Sequence, residues 1–440
     1  MSNISVIILA GGAGTRFEPL KGKNLYPFLG EDAFDIHIKQ LKAIDVKKTV
    51  VVTNSDFSLE RPDVTFVKQQ GNGMAGAVLT ALNEIDPDSE LLILNANDYY
   101  DDSLISNFAE LRPNFLKNNE AALTGHFTEK YFPGGYLIIQ DGYIKDIIEK
   151  PGEGNEPSNY VNIVFDYFPN SGTLKKFIEE AKSKKDDVYE VALDNMMHSD
   201  TKFRLLPYEG PWKTIKYPWH VLDVMDFFLK KIDSRKISPD ASVSPHAFIN
   251  GNVVIEAGVK VFDGAIIKGP CYISKDSIIA NGALVRNSMI GENCVIGFAT
   301  EVARSYIKND VWLHKNYVGD SILEDNVSLG SNSVTGNLRL DEQDVIKEVN
   351  GQKVNTEKNK LGAIIGSDVR IGINVSIMPG VRIGSGSFVG PNVNLEKDLD
   401  ENRFVRLVQD LEIRENKFDI KSVSRKDIKK NLDFNNREDR

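Results

Sequence analysis

Cysteine is almost missing from this chain: Cys271 and Cys294 are the two examples in 440 residues. Two thiols cannot build the disulfide framework of a small secreted scaffold. Long apolar runs are missing as well. The first, Val6 to Ala10, is far too short to span a bilayer, and no charged-then-apolar segment opens the chain. A soluble cytoplasmic protein in a reducing compartment is therefore expected. Positive charge is in deficit, with 53 Lys and Arg against 63 Asp and Glu and a net charge of −10. That argues against nucleic-acid and anionic-membrane partners, because phosphate surfaces attract basic faces. It leaves room for a local basic pocket that takes a small phosphate ligand. What is present, 41% hydrophobic and 26% charged residues, is globular composition. The length predicts two or three domains.

Two rhythms divide the chain. In the front half, Ser5–Leu9, Thr49–Thr53 and Leu91–Leu94 are short continuous apolar runs, separated by amphipathic stretches such as Ala33–Ile44 and Ala75–Ile85. Continuous runs are what strands buried on both faces require, so this half is predicted as a doubly wound, Rossmann-like α/β domain. After Ile237 the period becomes six. Branched apolar residues fall at Ile237, Val243, Ile249, Ile255, Val261, Ile267, Ile273, Ile279 and Val285, and again from Ile365 to Leu395. A six-residue period marks a parallel β-helix, with three repeats to each triangular coil. Ala241, Ala247, Ala265, Ala283 and Ala299 are read as small residues beside the inward anchors, and both cysteines as buried fillers of the same slot. Between Asn337 and Lys360 the period breaks into a polar segment, read as a loop or hairpin thrown out from the coil. The domains expected are 1–232, 233–398, and a charged extension 399–440 that is partly disordered at its end.

A glycine loop follows the first strand directly: Leu9-Ala10-Gly11-Gly12-Ala13-Gly14-Thr15-Arg16. Glycines let backbone N–H groups approach a phosphate without Cβ clashes, and the carboxyl end of the first strand is where α/β sheets place nucleotides. A plain tight turn is the other reading. No Gly-Lys-Ser/Thr follows, so this is not a P-loop.

The whole run LAGGAGTRFEPLKGKNLYP resembles the signature of sugar-1-phosphate nucleotidylyltransferases. Further matches come in family order. QQGNGMAGA, from Gln69 through Gly73 and Met74, resembles the base-reading loop. Asn95-Ala96-Asn97-Asp98 ends a strand, Gly135 sits in Pro-Gly-Gly-Tyr, Glu149-Lys150-Pro151 matches, Asn162 follows Ser158-Asn159, and WKTIKYPW from Trp212 resembles the closing segment. The resemblance implies nucleotide binding by Ala10, Gly11, Gly12, Gly14, Thr15, Gln69, Gly73 and Met74. It implies sugar-phosphate binding by Gly135, Glu149, Lys150 and Asn162, and catalysis by Arg16 and Lys23. It further implies Mg²⁺ at Asp98, with Thr214 aligned to the second ligand. Thr214 replaces a usual Asp or Asn, Lys216 replaces a usual Gly, and Met74 replaces a usual Thr.

The chemistry explains these residue types. A sugar 1-phosphate oxygen attacks the α-phosphorus of a nucleoside triphosphate and pyrophosphate leaves. Two anions must meet, so cations must be supplied, and a guanidinium donates bidentately to phosphate. Mg²⁺ bridges phosphates and is commonly held by one or two carboxylates.

The back half is similar to the acetyltransferase half of archaeal-type bifunctional UDP-N-acetylglucosamine pyrophosphorylase/glucosamine-1-phosphate N-acetyltransferases. The similarity lies in WLHKNYVGD, SILEDNVSLGSNSVTGNLRLD and KLGAIIGSDVRIGINVSIMPGVRIG. It implies a left-handed β-helix, acetyl-CoA as co-substrate and a homotrimer. His314 is implied as the base, with Tyr317, Ser328 and Asn337 beside it; an imidazole can take a proton from an attacking amine near neutral pH. Ser328 stands where the bacterial enzymes have Asn. Three functional readings follow. The first is a bifunctional enzyme that acetylates glucosamine 1-phosphate and joins UTP (or dTTP) to the product. The second is a glucose-1-phosphate thymidylyl- or uridylyltransferase whose coil serves assembly. The third is a catalytically silent subunit that senses sugar nucleotides.

Overall fold

The computed structural model of the chain describes residues 3–12, 14–54, 61, 63–184, 187–417 and 429. Ala13 and the stretch expected to be disordered after Ser424 lie outside the described residues, Lys429 excepted.

The front half is built on a nine-stranded mixed sheet. Its strands are β1 (Ile4–Ala10), β2 (Val46–Thr53), β3 (Val64–Lys68), β4 (Glu90–Asn95), β6 (Ala121–Phe127), β7 (Gly135–Gln140), β8 (Tyr143–Glu149), β9 (Tyr160–Phe168) and β10 (Phe203–Tyr208), in the order 3-2-1-4-9-6-10-8-7. A separate short pair joins β5 (Asp98–Tyr100) to β11 (Trp212–Thr214). β1 lies parallel to both β2 and β4, with Ile7 opposite Val50 and Ile93. Alternate residues of β1 feed two cores. Ile7 and Leu9 pack with α2 (Gly73–Leu82), α4 (Ser171–Glu180) and α5 (Val188–Met197) on one face. Val6 and Ile8 pack with α1 (Ala33–Leu41) and α3 (Asp102–Asn118) on the other. A strand covered on both faces needs apolar residues at every position, which is why SVIIL reads as a continuous run.

Beyond Arg235 the chain passes in turn through three parallel sheets of eight, nine and eight strands, each sheet taking every third strand. Val243 pairs with Val261, and Val261 with Ile279, so three six-residue repeats make one coil. The anchors line a continuous core with Ala265, Ala283, Cys271 and Cys294, all fully buried. Burial pushes the two thiols up, to about 11 for Cys271 and about 12 for Cys294. Ala299 departs from its expected slot: it is an exposed corner residue with φ 53°, and Thr300 takes the buried place. The corners require left-handed backbone, and Asn and Asp supply it, as at Asn293, Asp310 and Asn326. Their side chains stack from coil to coil, Asn326 donating to Asp368 at 2.7 Å. The coil runs on past residue 398 to Phe404–Val405, which pairs with Phe388–Val389.

The two halves share a third core. Helix α6 (His220–Leu229), β5 and the loop after Pro27 bring Phe228, Tyr99 and Phe28 together, with Phe28 against Tyr306 of the coil. Tyr306 donates to the Pro27 carbonyl at 2.7 Å, and Tyr26 donates to the buried Glu324 carboxylate. Residues 1–406 therefore form one compact unit. A second unit begins at Leu407; its described stretch, 407–417, carries no helix or strand. Among the described residues no helix is long and apolar enough to cross a membrane.

Candidate active sites

The sheet order reverses between β1 and β4, and the loops leaving their carboxyl ends flank one crevice, the place where open α/β sheets bind ligands. After β1 the chain turns through Gly12 (φ 105°) and Gly14 (φ 68°) into a short helical turn, Thr15–Phe17, that carries Arg16. Gly11 lies close to Gln69: a Cβ there would stand 2.4 Å from the end of that side chain, Oε1, which would have to swing aside. Gln69 in turn donates to the carbonyls of Gly71 and Gly73, so the glycine loop and the start of α2 are held together. Lys23 sits in the next turn, where Asn24 donates to the Ala10 carbonyl at 3.1 Å.

A cavity of about 680 Å³ opens beside this loop. Arg16, Asp98, Glu149, Lys150, Asn162 and Thr214 line it, so predicted residues scattered over two hundred positions of chain meet in one space. The pairing of β5 with β11 sets Thr214 directly opposite Asp98. Asp98 is 5% exposed. Burial raises its pKa, against hydrogen bonds from Thr214 and Asn95 and the charges of Lys216 and Lys23. Burial also lowers Lys23 and Lys216, partly offset in each by Asp98. Glu149 pairs with Lys150 at 2.9 Å, and Lys150 holds a left-handed backbone (φ 48°). Gly135 pairs with Glu149 in the register of β7 and β8, and a Cβ on it would strike Ile147.

Two polar atoms in the cavity wall are buried without a partner: Oδ1 of Asn162 and Nε1 of Trp212. Trp212 is packed edge-on against Phe132 and His126. Gly73 and Met74, in contrast, do not line this cavity. They border a separate hollow of about 460 Å³ with Ser183 and Val188, beyond the start of α2.

Lys216 was singled out in the sequence only as a replacement, yet it lines the cavity, with Nζ 4.4 Å from the centre of the Phe132 ring. His220 positions this segment. Burial keeps its imidazole neutral, with a pKa of about 4, and its Nδ1 lies 3.0 Å from the Thr214 carbonyl oxygen and 3.3 Å from the Lys216 amide. The donor set fits a Mg²⁺ ion that arrives with substrate phosphates. Asp98 supplies one carboxylate and Thr214 a neutral oxygen, and phosphate and water complete such a shell. Among the described residues no cluster of three or more His, Cys, Asp or Glu side chains forms a self-sufficient metal site.

The coil carries the other predicted constellation. His314 is exposed at the corner after Trp312–Leu313, its ring 6.5 Å from that of Trp312, and its backbone N–H donates to Asn316. Ser328 pairs with Trp312 in the same sheet. Tyr317 opens a strand of the neighbouring sheet and Asn337 follows the strand stacked on it, donating to the Tyr317 hydroxyl at 3.2 Å and to Asp320. Arg304 holds Asp320 bidentately at 2.6 Å. The four predicted residues thus fall in two groups: His314 and Ser328 beside Trp312, and Tyr317 with Asn337 along the next sheet. Asp320, the last residue of WLHKNYVGD, joins the second pair, and so does Arg304, which no sequence motif announces.

The inserted segment is an antiparallel hairpin, Ile346–Val349 with Gln352–Asn355. It folds back over the front half, and Val349, Asn350, Gln352 and Val354 complete the wall of the 680 Å³ cavity.

Three family models match the chain. A MobA-like NTP transferase domain matches residues 6–109, a GMPPB C-terminal domain matches 232–359, and bacterial transferase hexapeptide repeats match 362–397. A "Bifunctional protein GlmU" of Methanococcus maripaludis is 36% identical, over 91% of this chain and 97% of its own length. A "Bifunctional sugar-1-phosphate nucleotidylyltransferase/acetyltransferase" of Sulfurisphaera tokodaii is 30% identical, over 92% of this chain and 100% of its own length. The cavity at the β1–β4 switch and the repeat-built coil behind it thus find full-length counterparts, and this chain belongs to the bifunctional GlmU family of sugar-1-phosphate nucleotidylyltransferase/acetyltransferases.

Proposed function

We propose that the chain transfers a nucleotidyl group from UTP (or dTTP) to a sugar 1-phosphate, and an acetyl group from acetyl-CoA to glucosamine 1-phosphate, in UDP-N-acetylglucosamine synthesis. The observation that carries the first activity is the cavity itself: Arg16, Lys150 and Lys216 surround space beside the buried Asp98. The glycine loop amides and Arg16 bind the triphosphate, and Lys23 faces its α-phosphorus. Lys150 and Lys216 hold the sugar phosphate, whose oxygen attacks in line as the pyrophosphate departs. Asn162 and Trp212 take the sugar hydroxyls. Catalysis is positioning and charge stabilisation in a preorganised site, with no covalent intermediate on the protein. Asp98, with Thr214 beside it, would hold a Mg²⁺ ion, and the chemistry it would supply is charge neutralisation of the substrate phosphates.

In the second activity His314 takes a proton from the attacking amine. The new C–N bond forms as the thioester bond breaks, and CoA leaves as its thiol. Tyr317 and Asn337 orient the sugar phosphate. The fold reading that goes with this is a left-handed parallel β-helix from 233, which runs past the expected bound of 398 to 405, behind a nucleotidyltransferase domain at 1–232, with an extension beyond it. The assembly is a homotrimer that binds acetyl-CoA between subunits, in the cytoplasm.

The test is a matrix of nucleoside triphosphates and sugar 1-phosphates with Mg²⁺, read by pyrophosphate and by CoA release. Pyrophosphate from UTP with N-acetylglucosamine 1-phosphate, and CoA from glucosamine 1-phosphate, are expected. Turnover with glucose 1-phosphate alone and no CoA release would reduce the coil to a scaffold.

A further inference from the structure

The hairpin belongs by sequence to the coil, yet its tip lies at the glycine loop. Its base is closed where Leu361 donates to the Asn337 carbonyl at 2.9 Å and Leu338 bridges to Lys360. Its first strand is tied to the last turns of the coil. Lys347 pairs with Asp398 at 2.7 Å, and Arg382 donates to the Glu348 carbonyl at 2.8 Å. Lys358, just beyond it, pairs with Asp223 of α6. Val345 and Val349 are buried in the core shared by the two halves. The tip is a two-residue Asn350-Gly351 turn with both residues left-handed (φ 50° and 76°), a preferred geometry for a tight hairpin. From that turn the Asn350 amide lies 3.4 Å from the Thr15 hydroxyl, across more than three hundred residues of chain. Asn350 and Gln352 are both exposed and both line the cavity with Arg16.

We propose that this hairpin is a working part of the nucleotidyl site: the Asn350 and Gln352 amides close the wall over the glycine loop and bind the triphosphate end that leaves as pyrophosphate. A neutral amide suits this place, since the cavity already holds several cations and a further charge would slow release of the product. The front domain's site is then incomplete without the coil, so the fusion of the two halves serves the first reaction as well as the second.

The inference rests on the nucleotidyl-transfer reading, and the test separates the two. Asn350→Gly keeps the left-handed turn and removes the amide; Gln352→Ala is the companion. Both are made in the full chain. The KM for UTP and the inhibition constant of inorganic pyrophosphate are expected to rise about three- to tenfold, the loss of one or two hydrogen bonds. The KM for sugar phosphate, CoA release and melting temperature should stay unchanged. Unchanged UTP and pyrophosphate constants would overturn the proposal, and so would equal losses in both activities, which mark a folding defect. Direct binding of UTP and pyrophosphate is measured beside turnover. A wild-type chain that binds them without turnover overturns the proposed reaction while the variants still report on the hairpin. A wild-type chain that binds neither overturns both.

Discussion

Lys216 is the residue that most changes the character of the first site. It brings a second half-buried ammonium to Asp98 where Lys23 already stands, and desolvation lowers both lysines. Removing it takes away a charge-assisted contact to phosphate. Lys216→Ala should lower kcat/KM for nucleotidyl transfer by about ten- to hundredfold, the range for one such contact. Steady-state pyrophosphate release checks this, and an unchanged rate would make Lys216 a packing residue against Phe132. Thr214 raises the complementary question. Thr214→Asp places a carboxylate opposite Asp98, so the half-saturating Mg²⁺ concentration should fall; no change would mean that Asp98 and the substrate phosphates suffice. Asn162→Ala should raise the KM for the sugar phosphate severalfold with little effect on that for UTP, because Asn162 lines the cavity on the side of Lys150 and Glu149. At this scale much was legible in the sequence, since motif order gave Arg16, Asp98, Lys150 and Asn162. Lys216 was not, because what carries it into the cavity is the β5–β11 pairing and the His220 contact, both long-range. Met74 shows the reverse: its motif is legible, but α2 directs it to another hollow.

Among the elements, β9 carries a buried acid that makes stability depend on pH. Asp166 accepts from Tyr189 at 2.9 Å, its other oxygen lacks a partner, and burial pushes its pKa from 3.8 to about 8. The folded state therefore holds a proton that the unfolded chain gives up above 3.8, and stability falls as pH rises from there towards 8. Asp166→Asn should flatten this slope: its melting temperature should fall less than the wild type's between mildly acid and mildly alkaline pH. Parallel slopes would show that Asp166 is ionised in the folded chain. The coil strands were legible because a period of six survives any local propensity. The hairpin was legible as a break and its destination was not. A loop inserted in a coil can turn towards solvent, a partner or another domain, and the choice rests on contacts such as Asn350 with Thr15.

For the whole molecule, the shared core of Phe28, Phe228 and Tyr306 joins two chemistries without merging them: one site lies at the β1–β4 switch, the other at a coil corner. Two such sites should fail independently. A homotrimer should also be seen by light scattering, with CoA release lost if the chain is monomeric. The measurement that tests the central claim most directly follows both products from one full-length preparation of each of two variants, Lys23→Ala and His314→Ala, against wild type. Loss of a general base costs about a hundred- to ten-thousandfold. The account predicts that Lys23→Ala loses pyrophosphate release and keeps CoA release, while His314→Ala does the opposite. Loss of both products in either variant, or of neither in both, would contradict it.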